Sequence, residues 1–462
     1  MRLRDHLNVD ANLIAWVLVI ASITLATRIA QAEPPKDVAD LRPVLQPILE
    51  RSKAPALAAA VYRDGKLIAL GVSGVRSIES KEPATADDRF PILSCSKPFA
   101  RLLLARLAER GVLAFDVPLS KLLDGTVMRP DYRDVTLADL MSHHAGIQPY
   151  TEIGPRITPI IFDTKGSTRA QRATFTAHVL NEAPAAPPKS RFVYSNAGFC
   201  IAATVAEKTT GKDWEKLMSD EVFTPLGLRS ATEGGEEVTL RGHLRTPDGP
   251  RVARPFDRLG VMIPAGGVSL SIADFAAFAA AEADLESGRP ILGLTDKTLK
   301  QLPALRPGDA APASRGGTLT FGGDGQFHAA FAIWPKQRAA IVVACNYGES
   351  DDLCTEVAAA VRAAVAKDLE PGDTAITGGP GADGPRYGYS LKIENDRIEI
   401  AAVAPGSIAE KAGLKEGDRI LKINGVATAE VEEDQRVQKL KGSPLTLVVS
   451  RDGHELEIKL KK

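Results

Sequence analysis

Cysteine is scarce in this chain, and its charge nearly cancels. Four cysteines, Cys95, Cys200, Cys345 and Cys354, in 462 residues cannot make a disulfide scaffold. They form no CxxC pair, and the seven histidines make no cluster with them, so neither a metal nor another cofactor is expected. Fifty-seven basic residues stand against fifty-eight acidic ones, for a formal net charge of -1, and no long basic stripe breaks that balance. Nucleic acid is therefore not an expected partner. No internal repeat is visible, and no apolar run reaches the ~20 residues that a spanning helix needs. Hydrophobic content of 44% and charged content of 25% are those of a soluble globular protein, and the length suggests two to four domains.

The longest apolar run, residues 13–26, follows a basic start at Arg2 and Arg4 and precedes the small-x-small site Ala30-Gln31-Ala32. That order is expected of a secretory signal peptide over residues 1–32, which would deliver the protein to the periplasm. A retained segment would be a tilted anchor, the one route to a membrane partner. No lipidation cysteine sits near the cleavage site. Export permits a bridge between Cys345 and Cys354, the one pair close in sequence; buried free thiols are the other reading of all four cysteines.

Residues 34–52 form an amphipathic helical pattern interrupted by Pro43 and Pro47. Residues 56–61 and 66–70 flank Asp64-Gly65, a hairpin signal. A long helix follows Ser94 and should stop at Gly111; others are expected over about 197–209, from Ser271 with a Ser-x-x-Asp capping box, and over 353–366. Strands are expected at 327–334 and 339–345. Strands, then helices, then strands and a helix describe an antiparallel sheet flanked by helices, an α/β (α+β) fold. Residues 367–385 are rich in Gly and Pro without a period and read as a linker. The remaining residues, 386–462, alternate as short strands at 398–403, 418–425, 445–450 and 455–461, with one helical segment near 431–440.

Two local pairs carry chemistry. Ser94 and Lys97 stand three residues apart at a helix start, on one face. The helix N-terminus offers positive potential and free N–H groups to a developing oxyanion, and the same field with desolvation lowers a lysine pKa. A serine hydroxyl needs such an adjacent base to act as nucleophile. Tyr194 and Asn196 flank Ser195 in an extended segment, so both can face one cleft; a phenol relays protons and an amide holds a carbonyl. Each pair is weak alone. In this order and distance they resemble the serine β-lactamase and penicillin-binding family, particularly the class C β-lactamase and esterase branch. The stretches FPILSCSKPFARLLLARLAERGVL, VTLADLMSHHAGI, FVYSNAGFCIAATVAEKTTGKDWEKL and IPAGGVSLSIADFAAF extend the resemblance over about residues 40–366.

The resemblance implies a β-lactamase-like antiparallel sheet with a helical subdomain, in a hydrolase domain spanning 34–366. It makes Ser94 the acylated nucleophile, Lys97 its partner, Tyr194 the general base or proton relay and Asn196 a substrate contact. The family's third motif, a strand carrying Lys or His before Gly, is replaced here, and Gly323-Asp324-Gly325 is the expected counterpart. With His328 a few residues on, these complete the expected substrate-binding set. An Asp324 carboxylate in the cleft would disfavour anionic substrates such as nitrocefin, unless His328 or Arg315 supplied a cation. His143 and His144 are expected to stabilise a loop beside the site, and Cys95 to be a buried small side chain. Residues 386–389, Arg-Tyr-Gly-Tyr, with APGSIAEKAGLKEGDRILKING, resemble a PDZ domain. This implies a small mostly-β module whose Tyr387, Gly388 and Tyr389 form a nest for a protein C-terminus. A docking or dimerising role is the alternative.

The expected activity is hydrolysis of an ester or amide in a small molecule or peptide through an acyl-enzyme. A β-lactamase or D,D-peptidase, and a catalytically weak binding protein whose PDZ module selects the partner, are the rivals. A fragment beginning near Gly384 should give dispersed amide NMR spectra; collapsed spectra would reject an independent module.

Overall fold

The computed structural model describes residues 37–151, 165–235, 237–246, 249–253, 260–302, 319–348, 351–369, 389–394, 397–403, 408–428, 445–451 and 453–460. The signal segment, residues 370–385 of the linker and the helical segment near 431–440 lie outside them.

The central sheet is built from β1 (Ala56–Arg63), β2 (Lys66–Gly74), β3 (Leu319–Gly323), β4 (His328–Trp334) and β5 (Ala339–Cys345). Their order is β2-β1-β5-β4-β3, all antiparallel, with Ala39–Asp40 adding a short parallel edge beside β2. The β1–β2 hairpin turns at Asp64-Gly65, both with positive φ (48° and 78°), the geometry that matches the twist of paired strands. The alternation along β5 divides the core. Ala340, Val342 and Ala344 pack on one face with α5 (Ile272–Glu286) and the helical region. Ile341, Val343 and Cys345 pack on the other with α1 (Arg42–Ser52) and α6 (Asp351–Val365). The α1 helix begins later than its apolar pattern suggests because Pro43 lies in its first turn, where no N–H is needed.

The helical region contributes α2 (Lys97–Glu109), α3 (Thr168–Val179) and α4 (Asn196–Thr210). Gly211 closes α4 in the left-handed conformation, at φ 73°. Ser271 caps α5 by accepting from Asp274 N–H at 3.2 Å. The reciprocal half of the expected capping box is absent, because the Asp274 carboxylate accepts instead from Ser230 N–H and Oγ.

The second unit contains β6 (Tyr389–Glu394), β7 (Arg397–Val403), β8 (Arg419–Ile423), β9 (Leu445–Arg451) and β10 (His454–Leu460), antiparallel in the order β6-β7-β8-β9-β10. It has its own core, centred on Ile400, Ile420, Ile423, Leu447 and Val449. The β6 strand had no counterpart among the expected strands; it ends the sheet formed by the described strands.

A buried ion pair fixes α3 against α4. Arg172 is fully buried and donates through Nε to both Glu207 oxygens at 3.2 Å and through Nη1 to Glu215 at 2.9 Å. Glu207 also accepts from Trp214 N–H at 2.9 Å. Removing Glu207 leaves the buried Arg172 with Glu215 alone and strands the Trp214 N–H, so Glu207→Ala should cost about 3–5 kcal/mol of stability in urea melts. A loss below ~1 kcal/mol would mean that water reaches Arg172.

Candidate active site

Ser94 does not sit on the helix proper. It lies in a 3₁₀ turn, Leu93–Ser96, that runs into α2, with Lys97 as the first α-helical residue. Leu93, immediately before it, is buried and held at φ 49°, a conformation a branched side chain rarely adopts. The turn is pinned at both ends to one residue: Ile92 N–H donates to Val268 O and Val268 N–H donates to Ser96 Oγ, each at 3.1 Å.

Lys97 is almost fully buried, 5% exposed. Its Nζ lies 3.1 Å from Ser94 Oγ, 2.9 Å from Asn196 Oδ1 and 2.9 Å from Ala265 O. Burial in this water-poor setting pulls the amine down to about 7. A neutral amine has two N–H donors and one lone pair. The donors suit Asn196 and Ala265, which leaves the lone pair facing the Ser94 hydroxyl. Tyr194 Oη donates to the same Ser94 Oγ at 2.9 Å. Burial pushes the Tyr194 phenol well above the ordinary tyrosine range, so it is a proton donor to Ser94 in the resting site and not a phenolate.

Asn196, expected to contact substrate, also holds the site together. Its Oδ1 accepts from Lys97, and its Nδ2 donates to Tyr150 O at 3.0 Å. His143 is buried, stacks on Tyr194 at 4.5 Å between ring centroids and accepts from Ser195 N–H through Nδ1 at 3.0 Å. His144 turns back to its own loop, its Nδ1 lying 3.0 Å from Ser142 O. Cys95 is fully buried, with Sγ directed at Thr320 O and Ala329 O in the sheet. Cys200, Cys345 and Cys354 are also buried, and none of the four cysteines forms a disulfide among the described residues.

The third-motif register shifts. The residue against the Ser94 turn is Gly322: a Cβ there would stand 2.3 Å from Ile92 O and 2.7 Å from Ser94 N. Only glycine permits that approach. A Cβ on Gly323 would meet the His328 ring at 2.5 Å. Gly323 pairs with His328, on the sheet face that carries Phe321 and Ala330 in the α1/α6 core, opposite to that of Gly322 and Ala329. His328 therefore does not join the Ser94 cluster. Asp324 is exposed in the β3–β4 turn, where its Oδ1 accepts from the N–H groups of Gln326 and Phe327, both at 2.9 Å. Its carboxylate is a turn-forming group, and Gly325 supplies the positive φ (79°) that the turn requires. The expectation of an acidic cleft wall rested on the misplaced register. Arg315, Tyr387 and Gly388 lie outside the described residues, and Tyr389 opens β6.

The Ala265 carbonyl and Gly322 were missed by reasoning from sequence. Backbone carbonyls carry no residue signature, and a run of glycines gives no side-chain period by which to count.

A family model described as Beta-lactamase matches residues 41–366. The chain belongs to the beta-lactamase family. A second model, the PDZ domain, matches residues 380–450. Penicillin-binding protein 4 of Amycolatopsis lactamdurans is 30% identical over 235 residues, 49% of this chain and 58% of that protein. A D-aminopeptidase of Brucella anthropi is 28% identical over 224 residues, 45% of this chain and 40% of that one. The chain thus spans about half the length of these curated relatives. A class C beta lactamase from Rhodobacter sphaeroides shares the fold at a TM-score of 0.51 and 18% identity, covering 70% of this chain and 97% of its own. The beta-lactamase fold and the PDZ module expected from the motifs are both present.

Gly322→Ala should force β3 away from the nucleophile turn. The rate of Ser94 labelling by a fluorophosphonate should fall on the order of 10²-fold, the cost of an ångström-scale misplacement, with circular dichroism unchanged. Labelling at the wild-type rate would show that β3 does not shape the site.

Proposed function

We propose that this protein is an exported serine hydrolase that cleaves an ester or amide through an acyl-enzyme on Ser94. The observation that carries the reading is the approach of both a depressed-pKa amine and a protonated phenol to one serine oxygen. Lys97, neutral, takes the Ser94 proton as Oγ bonds to the substrate carbonyl carbon. The resulting oxyanion is met by the Ser94 N–H and by a backbone N–H of the Gly322–Gly323 edge. Tyr194 relays the proton to the leaving amine or alcohol as the carbon–nitrogen or carbon–oxygen bond breaks. Water then attacks the acyl carbon, losing its proton to the same pair, and frees the acid and Ser94.

The β3 strand contributes backbone and no cation at this point, which favours esters and simple amides over carboxylate-bearing β-lactams. The relation to a D-aminopeptidase supports amides among the substrates. A β-lactamase or D,D-peptidase would need a cation from elsewhere. In the binding-protein reading the same serine would remain unlabelled. The basic start, apolar run and Ala30-Gln31-Ala32 support a periplasmic setting, with residues 367–385 as the linker between the two units. Among the described residues β6 pairs with β7 alone, and this supports capture of a peptide C-terminus by strand addition.

Protonated Lys97 has no lone pair, so activity should be lost below its pKa and present above it. For p-nitrophenyl acetate, kcat/KM should rise with pH to a plateau with its midpoint near 7. Ser94→Ala should abolish turnover, and Lys97→Arg, permanently charged, should lose on the order of 10²- to 10⁴-fold. A profile flat from about pH 5 to 9, spanning a midpoint of about 7, would exclude Lys97 as the base.

A further inference from the structure

The Tyr194 phenol must reach Ser94 from an extended segment that has no sheet partner among the described residues, so something else must fix it. The residue before it and the residue after it are both bound to one side chain and its backbone. Val193 N–H donates to His143 O at 2.8 Å, and Ser195 N–H donates to His143 Nδ1 at 3.0 Å. Between those two bonds the imidazole lies along the Tyr194 ring, at 4.5 Å and 26°. To make all three contacts, His143 adopts φ 63° and is 2% exposed.

We propose that His143 is a positioning residue for Tyr194, bracketing it on both sides and stacking on its ring so that the phenol hydroxyl is aimed at Ser94 Oγ. This rests on the reading of Tyr194 as the proton relay. The hydrogen bonds exclude a more direct role. Nδ1 accepts from Ser195, so the ring proton is on Nε2, and Nε2 has no acceptor among the described residues. The imidazole is in no proton chain with Ser94. Two further aromatic rings face it: Phe192 meets it edge-on at 5.4 Å and Phe199 lies tilted at 5.5 Å. His144, one residue on, binds its own loop and shares none of these contacts with Tyr194.

The test is a double-mutant cycle of His143→Ala and Tyr194→Phe, read as kcat and KM for p-nitrophenyl acetate. Each kcat is scaled to the fraction of protein that a fluorophosphonate labels at saturation. His143→Ala should lower kcat per labelled site by about tenfold to 10²-fold, the cost of a small misplacement, with KM little changed. The double variant should be no slower than Tyr194→Phe alone, since a positioning residue has nothing to act on once the hydroxyl is gone. His143→Asn keeps an acceptor and tolerates the left-handed backbone, so it should recover part of the loss; it also replaces His143→Ala in the cycle if that variant does not fold. Multiplying losses in the double variant would overturn the proposal and leave the relay standing. So would a fall in the labelled fraction with kcat per site unchanged, because that is a purely structural effect. Wild-type kcat in Tyr194→Phe would instead remove the relay, and the positioning role with it.

Discussion

An amine kept out of water is the constraint around which this site is assembled. Charging a buried lysine is costly, and the cost is what lowers Lys97 to about 7 and gives it a lone pair near neutral pH. A buried amine without partners would itself be costly. Here Asn196 Oδ1 and Ala265 O accept its protons, and the one remaining direction leads to Ser94. Three distant segments therefore have to meet within hydrogen-bond distance of one nitrogen: the start of α2, the start of α4 and the short helix Ile263–Gly266.

The rest of the fold keeps those segments from drifting. Val268 ties both ends of the Ser94 turn, and Gly322 lets the sheet edge press against it. The Arg172–Glu207 pair locks α3 to the helix that presents Asn196. With Ser94 and Lys97 on one turn and Tyr194 on a separately braced extended segment, the proposed proton transfer would depend on the packing of two helices as much as on the reacting side chains.

Local relations were legible in the sequence. The spacing of Ser94 and Lys97, the alternation of Tyr194 and Asn196, the Asp64-Gly65 turn and the Ser271 cap all act within a few residues, where chain geometry fixes the outcome. Relations between segments were less so. Within Phe321–Gly325, glycines leave no side chain to reveal which residue faces the nucleophile, and a shift of one or two positions changes the face. Asp324 looked like a charge in a cleft because a sequence does not show that the backbone N–H groups two and three residues on will take its carboxylate. That the Asn196 amide would be engaged by Lys97 and Tyr150 required knowing that residues 97, 150 and 196 converge.

The account stands or falls on the protonation state of one nitrogen. Selective ¹⁵N labelling of lysine, with the Lys97 signal assigned by its loss in Lys97→Arg, allows Nζ to be titrated in the intact protein. The account predicts a midpoint near 7. A midpoint close to ~10.4, that of a solvated lysine, would contradict it, because Lys97 would then be a charged hydrogen-bond donor at neutral pH and Ser94 would lack a base.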